Sequence, residues 1–185
     1  ILVFTVFHSF TEAQDMEIDD SFVFELGLPN GFVNAPFKNI MQGVVYVSPM
    51  YQYTLKSGIL FGAGVHYSYF NINQFRINQN ISGGMHNGAA FVKLGHEKFW
   101  TPSLATDIGV KAGFAQSAFV TDTLKTMGIT YNSKQSAYIE PNIGICLAAD
   151  VNASFRLTIG YAFYGFGYKP WDIGINSNLG YSASE

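Results

Sequence analysis

The sequence predicts an all-β fold, an eight-stranded antiparallel up-and-down transmembrane β-barrel, and three observations carry that expectation. The first is a period-two alternation from Ile59 to Phe70: Ile59, Phe61, Ala63, Val65, Tyr67 and Tyr69 share one face of a strand, and Leu60, Gly62, Gly64, His66 and Ser68 share the other. The second is composition. Of 185 residues, 48% are hydrophobic and 16% aromatic but only 12% charged, against about 25% charged in ordinary soluble domains. The third is that connections between the alternating segments switch regularly between short and long, as in barrels with tight turns at one rim and loops at the other. No apolar run approaches the roughly 20 residues that a spanning helix needs, so lipid would have to be met by strands. Strands in lipid must close on themselves to pair every backbone group.

Taken in order, the chain opens with an apolar stretch, 1–10, followed by Thr11-Glu12-Ala13-Gln14. It reads as the tail of an export signal cleaved after Ala13, which makes residues 1–13 a signal-peptide remnant and 14–185 one barrel domain. The alternative is a buried first strand of a soluble domain. With no initiator Met, no basic segment at the start and no terminal aromatic residue, a few residues are expected to be missing from each end.

Eight segments fit the strand template: 19–28, 42–55, 59–70, 88–99, 104–117, 136–148, 154–166 and 171–182. Tight connections fall at 56–58, 100–103 and 149–153. Long ones fall at 29–41, 71–87 and 118–135, the second rich in Asn, Gln, Ser and Gly, which favour turns. Pro49 and Pro141 interrupt predicted strands, where a missing N–H suggests a bulge.

Sorting the faces places Phe22, Phe24, Leu26, Leu28, Val45, Val47, Ile108, Val110, Phe114, Ile139, Ile143, Ile145, Leu147, Phe155, Leu157 and Ile159 outward. Tyr51, Tyr53, Tyr67, Tyr69, Trp100, Tyr168, Trp171 and Tyr181 lie toward strand ends, where amphipathic rings favour the headgroup level. An ordinary aromatic core would give the same outward list, so the opposite face decides. That face carries Glu25, His66, Lys93, Glu97, Asp107, Lys111, Glu140, Arg156 and Asp172, interleaved with glycines. Isolated charges are costly in a small apolar interior, whereas paired charges among glycines can fill an eight-stranded lumen. A simple hairpin about 100–103 would set Lys93 opposite Lys111 and Glu97 opposite Asp107, with diagonal pairing relieving the repulsion. Glu25, Lys93, Glu97, Asp107, Lys111, Glu140 and Arg156 are therefore expected to form a lumen charge network.

Candidate chemistry is sparse. Cys146 is the single cysteine, which excludes an intrachain disulfide and a cysteine-based zinc site. His8, His66, His86 and His96 share no metal-ligand spacing, so no metal and no cofactor is expected. Gly83-Gly84 lacks the helix pattern and lysine of a phosphate-binding loop. The net charge of −3 includes no basic cluster, which argues against nucleic acid. His66-Tyr67-Ser68 is the one arrangement that could carry catalysis, a base and a nucleophile on one strand face. On parity alone the pair shares the glycine-rich face, which makes lumen packing the competing interpretation.

The Thr11-Glu12-Ala13-Gln14 junction, the alternating strands such as Ile59-Leu60-Phe61-Gly62-Ala63-Gly64-Val65 and the short–long connections together resemble the small eight-stranded outer-membrane barrels of Gram-negative bacteria, of the OmpX and OmpA-transmembrane-domain kind. The resemblance implies an integral outer-membrane protein with a structural, adhesion or envelope-integrity role, in contact with outer-membrane lipid and lipopolysaccharide, and not an enzyme. It leaves room for an extracellular partner bound by loops 71–87 and 118–135. A narrow pore or a small-ligand barrel is the first alternative. The second is a lipid A-modifying hydrolase, because His66 and Ser68 are similar to the His-x-Ser pair of the outer-membrane lipid A deacylases. That likeness would make His66 the base, Ser68 the nucleophile, and Glu97 or Glu140 the orienting carboxylate.

Overall fold

A computed structural model of the chain describes residues 2–9, 18–77, 80–101, 103–150 and 153–175. The fold is all-β and antiparallel. Its strands are β1 (Leu2–Ser9), β2 (Ile18–Leu28), β3 (Met41–Leu55), β4 (Ile59–Ile72), β5 (Gly83–Thr101), β6 (Leu104–Thr121), β7 (Asn132–Asp150), β8 (Ala153–Gly160) and the two-residue β9 (Phe163–Tyr164). Each strand from β1 to β7 pairs with its successor, β9 pairs with β7, and β8 also pairs with β1, Leu2 opposite Ile159 and Val6 opposite Phe155. Two short helices, α1 (Ala35–Ile40) and α2 (Asp122–Thr126), sit in the long connections, and a 3-10 turn at Pro170–Ile173 follows β9.

The strands differ from the expected segments at several points, each with a local cause. Residues 2–9 form β1, paired on both sides; the expected cleavage site at 13–14 lies outside the described residues. The expected strand at 171–182 begins instead as a 3-10 turn, because Pro170 starts a helical turn and Gly174 ends it at φ 87, a left-handed conformation natural to glycine. Residues 176–185, with Tyr181, lie outside the described residues. Strands β5, β6 and β7 reach well into the segments expected to be loops, since ladder partners such as Met85 opposite Phe119 override weak local propensity.

Pro49 causes no bulge: it lies in register opposite Phe24, and the irregularity of β3 falls between Gly43 and Val45. Pro141 acts differently. The pairs Asn142 with Gly160 and Ile139 with Phe163 belong to one register, so β8 and β9 are a single strand interrupted opposite Pro141, which has no N–H to donate. Tyr161 N–H still donates to the Pro141 carbonyl at 3.0 Å.

The outer face of the sheet is apolar and exposed. Phe22, Phe24, Leu26, Phe61, Val65, Val92, Leu94, Ile108, Val110, Phe114, Ile143, Ile145, Leu147, Phe155 and Ile159 all project there. Among the expected girdle rings, Tyr51, Tyr53, Tyr67, Trp100 and Trp171 are exposed, but Tyr168 is buried. The inner face carries the charges. At the end where the long connections meet, the interior is apolar instead: Ile40, Met41, Phe70, Ile72, Met85, Phe119, Leu124, Tyr168 and Ile173 form one cluster. Helices of five or six residues cannot hold themselves in water, so their apolar sides are buried across this mouth.

Candidate functional site: a charged interior

The tight turn at 56–58 joins β3 to β4, with Gly58 at φ 82, and the Gly58 carbonyl accepts from the Glu97 N–H of β5 at 2.7 Å. That contact fixes Glu97 near the short-turn end of the interior. The β5–β6 hairpin opposes Lys93 to Lys111 and Glu97 to Asp107. The like charges do not pair across the hairpin. Lys93 Nζ reaches diagonally to Asp107 Oδ2 at 2.8 Å, and Arg156 from β8 donates to Glu97 Oε1 at 2.9 Å and lies 3.5 Å from Asp107 Oδ1. Gln52 and Thr54 complete this layer: Arg156 Nη1 donates to Gln52 Oε1 at 3.1 Å, and Thr54 donates to Glu97 Oε2 at 3.2 Å.

A second layer lies deeper. Lys111 Nζ is 2.5 Å from Glu25 Oε2 on β2 and 3.1 Å from Glu140 Oε1 on β7. Tyr138 donates to Glu140 Oε2 at 2.5 Å, and the Lys111 ammonium also sits 5.2 Å from the Phe91 ring centre. These charges are almost wholly enclosed, at 1% exposure for Glu25 and Lys111 and 2% for Arg156. The glycines make the room. A Cβ on Gly144 would stand 2.2 Å from Asp107 Oδ1, so a larger residue there would displace the network.

His66 and Ser68 occupy a third layer, toward the apolar mouth. Asn87 lies between them, its Nδ2 3.4 Å from His66 Nε2 and donating to Ser68 Oγ at 3.3 Å and to the Tyr164 hydroxyl at 2.9 Å. Ser117 donates to Asn87 Oδ1 at 2.9 Å. His66 also packs edge-on to Tyr138, ring centres 4.7 Å apart. Among the described residues no hydrogen bond joins His66 to Ser68, and no carboxylate accepts from His66; Glu97 and Glu140 are engaged with Arg156 and with Lys111 and Tyr138. A serine activated by this histidine would need a direct contact that Asn87 interrupts.

The interior therefore brings together all seven residues of the expected charge network, and Asp172 joins Lys134 separately at 2.6 Å under the 3-10 turn. Reading the sequence missed Tyr46, Gln52, Thr54, Asn87, Tyr138 and Tyr164. Strand parity carried the signal for Tyr46 and Tyr138, each two residues from an inward polar neighbour. No group of three or more His, Cys, Asp or Glu fit to hold a metal occurs among the described residues. No protein-family model, no curated protein and no solved structure matches the chain. The class of the protein rests on its own geometry.

Proposed function

We propose that the chain is an integral outer-membrane protein of a Gram-negative bacterium, a closed eight-stranded β-barrel whose role is structural, adhesive or protective of the envelope. One observation carries the proposal: the faces are inverted relative to a protein in water. Glu25, Lys93, Asp107, Lys111, Glu140 and Arg156 are buried, while large apolar side chains such as Ile108, at 62% exposure, stand outside. Exposed apolar surface on this scale needs a non-aqueous neighbour, and strands cross lipid when their pairing closes. The β8–β1 pairing supports closure. No helix among the described residues is long and apolar enough to cross a membrane.

The filled interior and the apolar cluster over one mouth favour a plugged barrel over a conducting one. In this reading the long connections face outward from the cell and offer the surface for any partner. Residues 2–9 have two alternative fates, because cleavage after Ala13 would remove β1; the N-terminal sequence of the mature protein distinguishes them. The decisive test is membrane fractionation with gel mobility in detergent before and after boiling. A folded form that migrates differently from the boiled chain is expected, and a protein soluble without detergent would overturn the proposal.

A further inference from the structure

The outward face of β5 to β8 is not smooth. An apolar groove of about 880 Å³ crosses it, lined by Leu94, Ile108, Val110, Ile143 and Ile159. One row of residues crosses it. Gly95, Gly109, Asn142 and Gly160 lie opposite one another across four strands, and all four border the groove. A Cβ on Gly109 would be 3.0 Å from Lys93 Cε, and one on Gly160 would be 2.9 Å from Glu140 Oε1. Side chains at these two positions would point inward, and their absence leaves room for Lys93 and Glu140.

One exposed cation lies beside the Phe32 end of the groove, and a second adjoins the backbone of the first. Phe32, from the β2–β3 connection, lines the groove and packs edge-on to Tyr161, ring centres 6.4 Å apart. Lys38 Nζ lies 6.0 Å from the Phe32 ring centre, and Arg76 donates to the Lys38 carbonyl at 3.0 Å. Both cations are exposed, and neither has a carboxylate partner among the described residues. Phe75, beside Arg76, is exposed as well.

We propose that this groove binds the acyl chain of an anionic lipid whose phosphate is held by Lys38 and Arg76. The inference rests on the membrane reading above and adds a site to it. An apolar trough fits a hydrocarbon chain, whichever lipid supplies it. Two unpaired cations near its Phe32 end select the phosphate-bearing headgroup without a compensating ammonium.

The test uses the full chain refolded in neutral detergent and titrated with phosphatidylglycerol or phosphatidylcholine of identical acyl chains, with bound lipid counted by native mass spectrometry. Each basic residue near an anionic lipid contributes about fivefold in affinity, so phosphatidylglycerol should be preferred about twenty-five-fold. Lys38→Gln with Arg76→Gln should abolish that preference, and Ile143→Trp, which fills the groove from outside, should weaken both lipids. Equal binding of the two lipids, an unchanged preference in the double variant, or a second copy of the chain on this face in place of lipid would overturn the site. Failure of the membrane reading shows earlier and separately, as a chain that enters neither detergent nor vesicles before any lipid is compared.

Discussion

Lys111→Met keeps most of the side chain's length and removes its charge. In the parent, Lys111 Nζ is 2.5 Å from Glu25 Oε2 and 3.1 Å from Glu140 Oε1, and it donates to the Tyr46 hydroxyl at 3.3 Å. The variant would leave two carboxylates in one enclosed layer with no cation between them. Breaking a buried ion pair from one side costs about 3–5 kcal/mol, and here two partners are stranded, so the upper end is expected. An exposed pair would give about 1 kcal/mol or less. The assay is urea unfolding of the chain refolded in lipid vesicles, followed by tryptophan fluorescence and by gel mobility. The triple variant Lys111→Met, Glu25→Gln, Glu140→Gln removes all three charges and should recover most of the loss, because replacing a whole buried ionic group is often near neutral. A single variant within about 0.5 kcal/mol of the parent, or a triple variant no better than the single, would refute this account of the interior.

Val110 precedes Lys111 and points the opposite way, at 43% exposure. Val110→Lys should cost about 2–4 kcal/mol in vesicles, as on the lipid face of a barrel, whereas a value within about 0.5 kcal/mol is what a watery surface would give. Asn87→Ala removes the hub between His66, Ser68, Ser117 and Tyr164 and should lower unfolding free energy by about 2–3 kcal/mol, measured in the same way; no change would mean that the cluster bears no stability. Gly144→Val drives a side chain into Asp107 and should reduce the folded fraction on gels, while Gly167→Ala, with open space around it, should not.

Parity within strands was the legible part of this chain. Alternation along 104–117 or 136–148 separates Val110 from Lys111 and Ile139 from Glu140 without knowledge of any partner strand, and the inward row found in the structure includes these charged residues. What sequence patterning could not supply was the contest between equally apolar interpretations. The run from Leu2 to Ser9 suits an export signal or a strand by sequence alone, and its pairing with Gly27 and Thr158 through Val3 involves partners that no local pattern reveals. The stretch after Pro170 alternates as a strand would, but Pro170 and Gly174 convert it to a turn whose Asp172 meets Lys134. The apolar mouth was illegible for a related reason. Its members come from strand ends, from three connections and from the segment after β9, so no local period marks them as one cluster.

The seam between β1 and β8 has a consequence in time. Leu2 meets Ile159 across nearly the whole described chain, through a short ladder ending at Val6 and Phe155, whereas the β5–β6 hairpin zips from its own turn. Contacts between residues so far apart in sequence pay the largest loop-closure entropy, so hairpins form early and this seam forms late. Until then Leu2 on β1 and Ile159 on β8 belong to open edges that invite pairing with other chains. The interval before that last ladder forms is therefore when the protein is most exposed to aggregation, and shortening it should raise the yield of folded protein even if its final stability is unchanged.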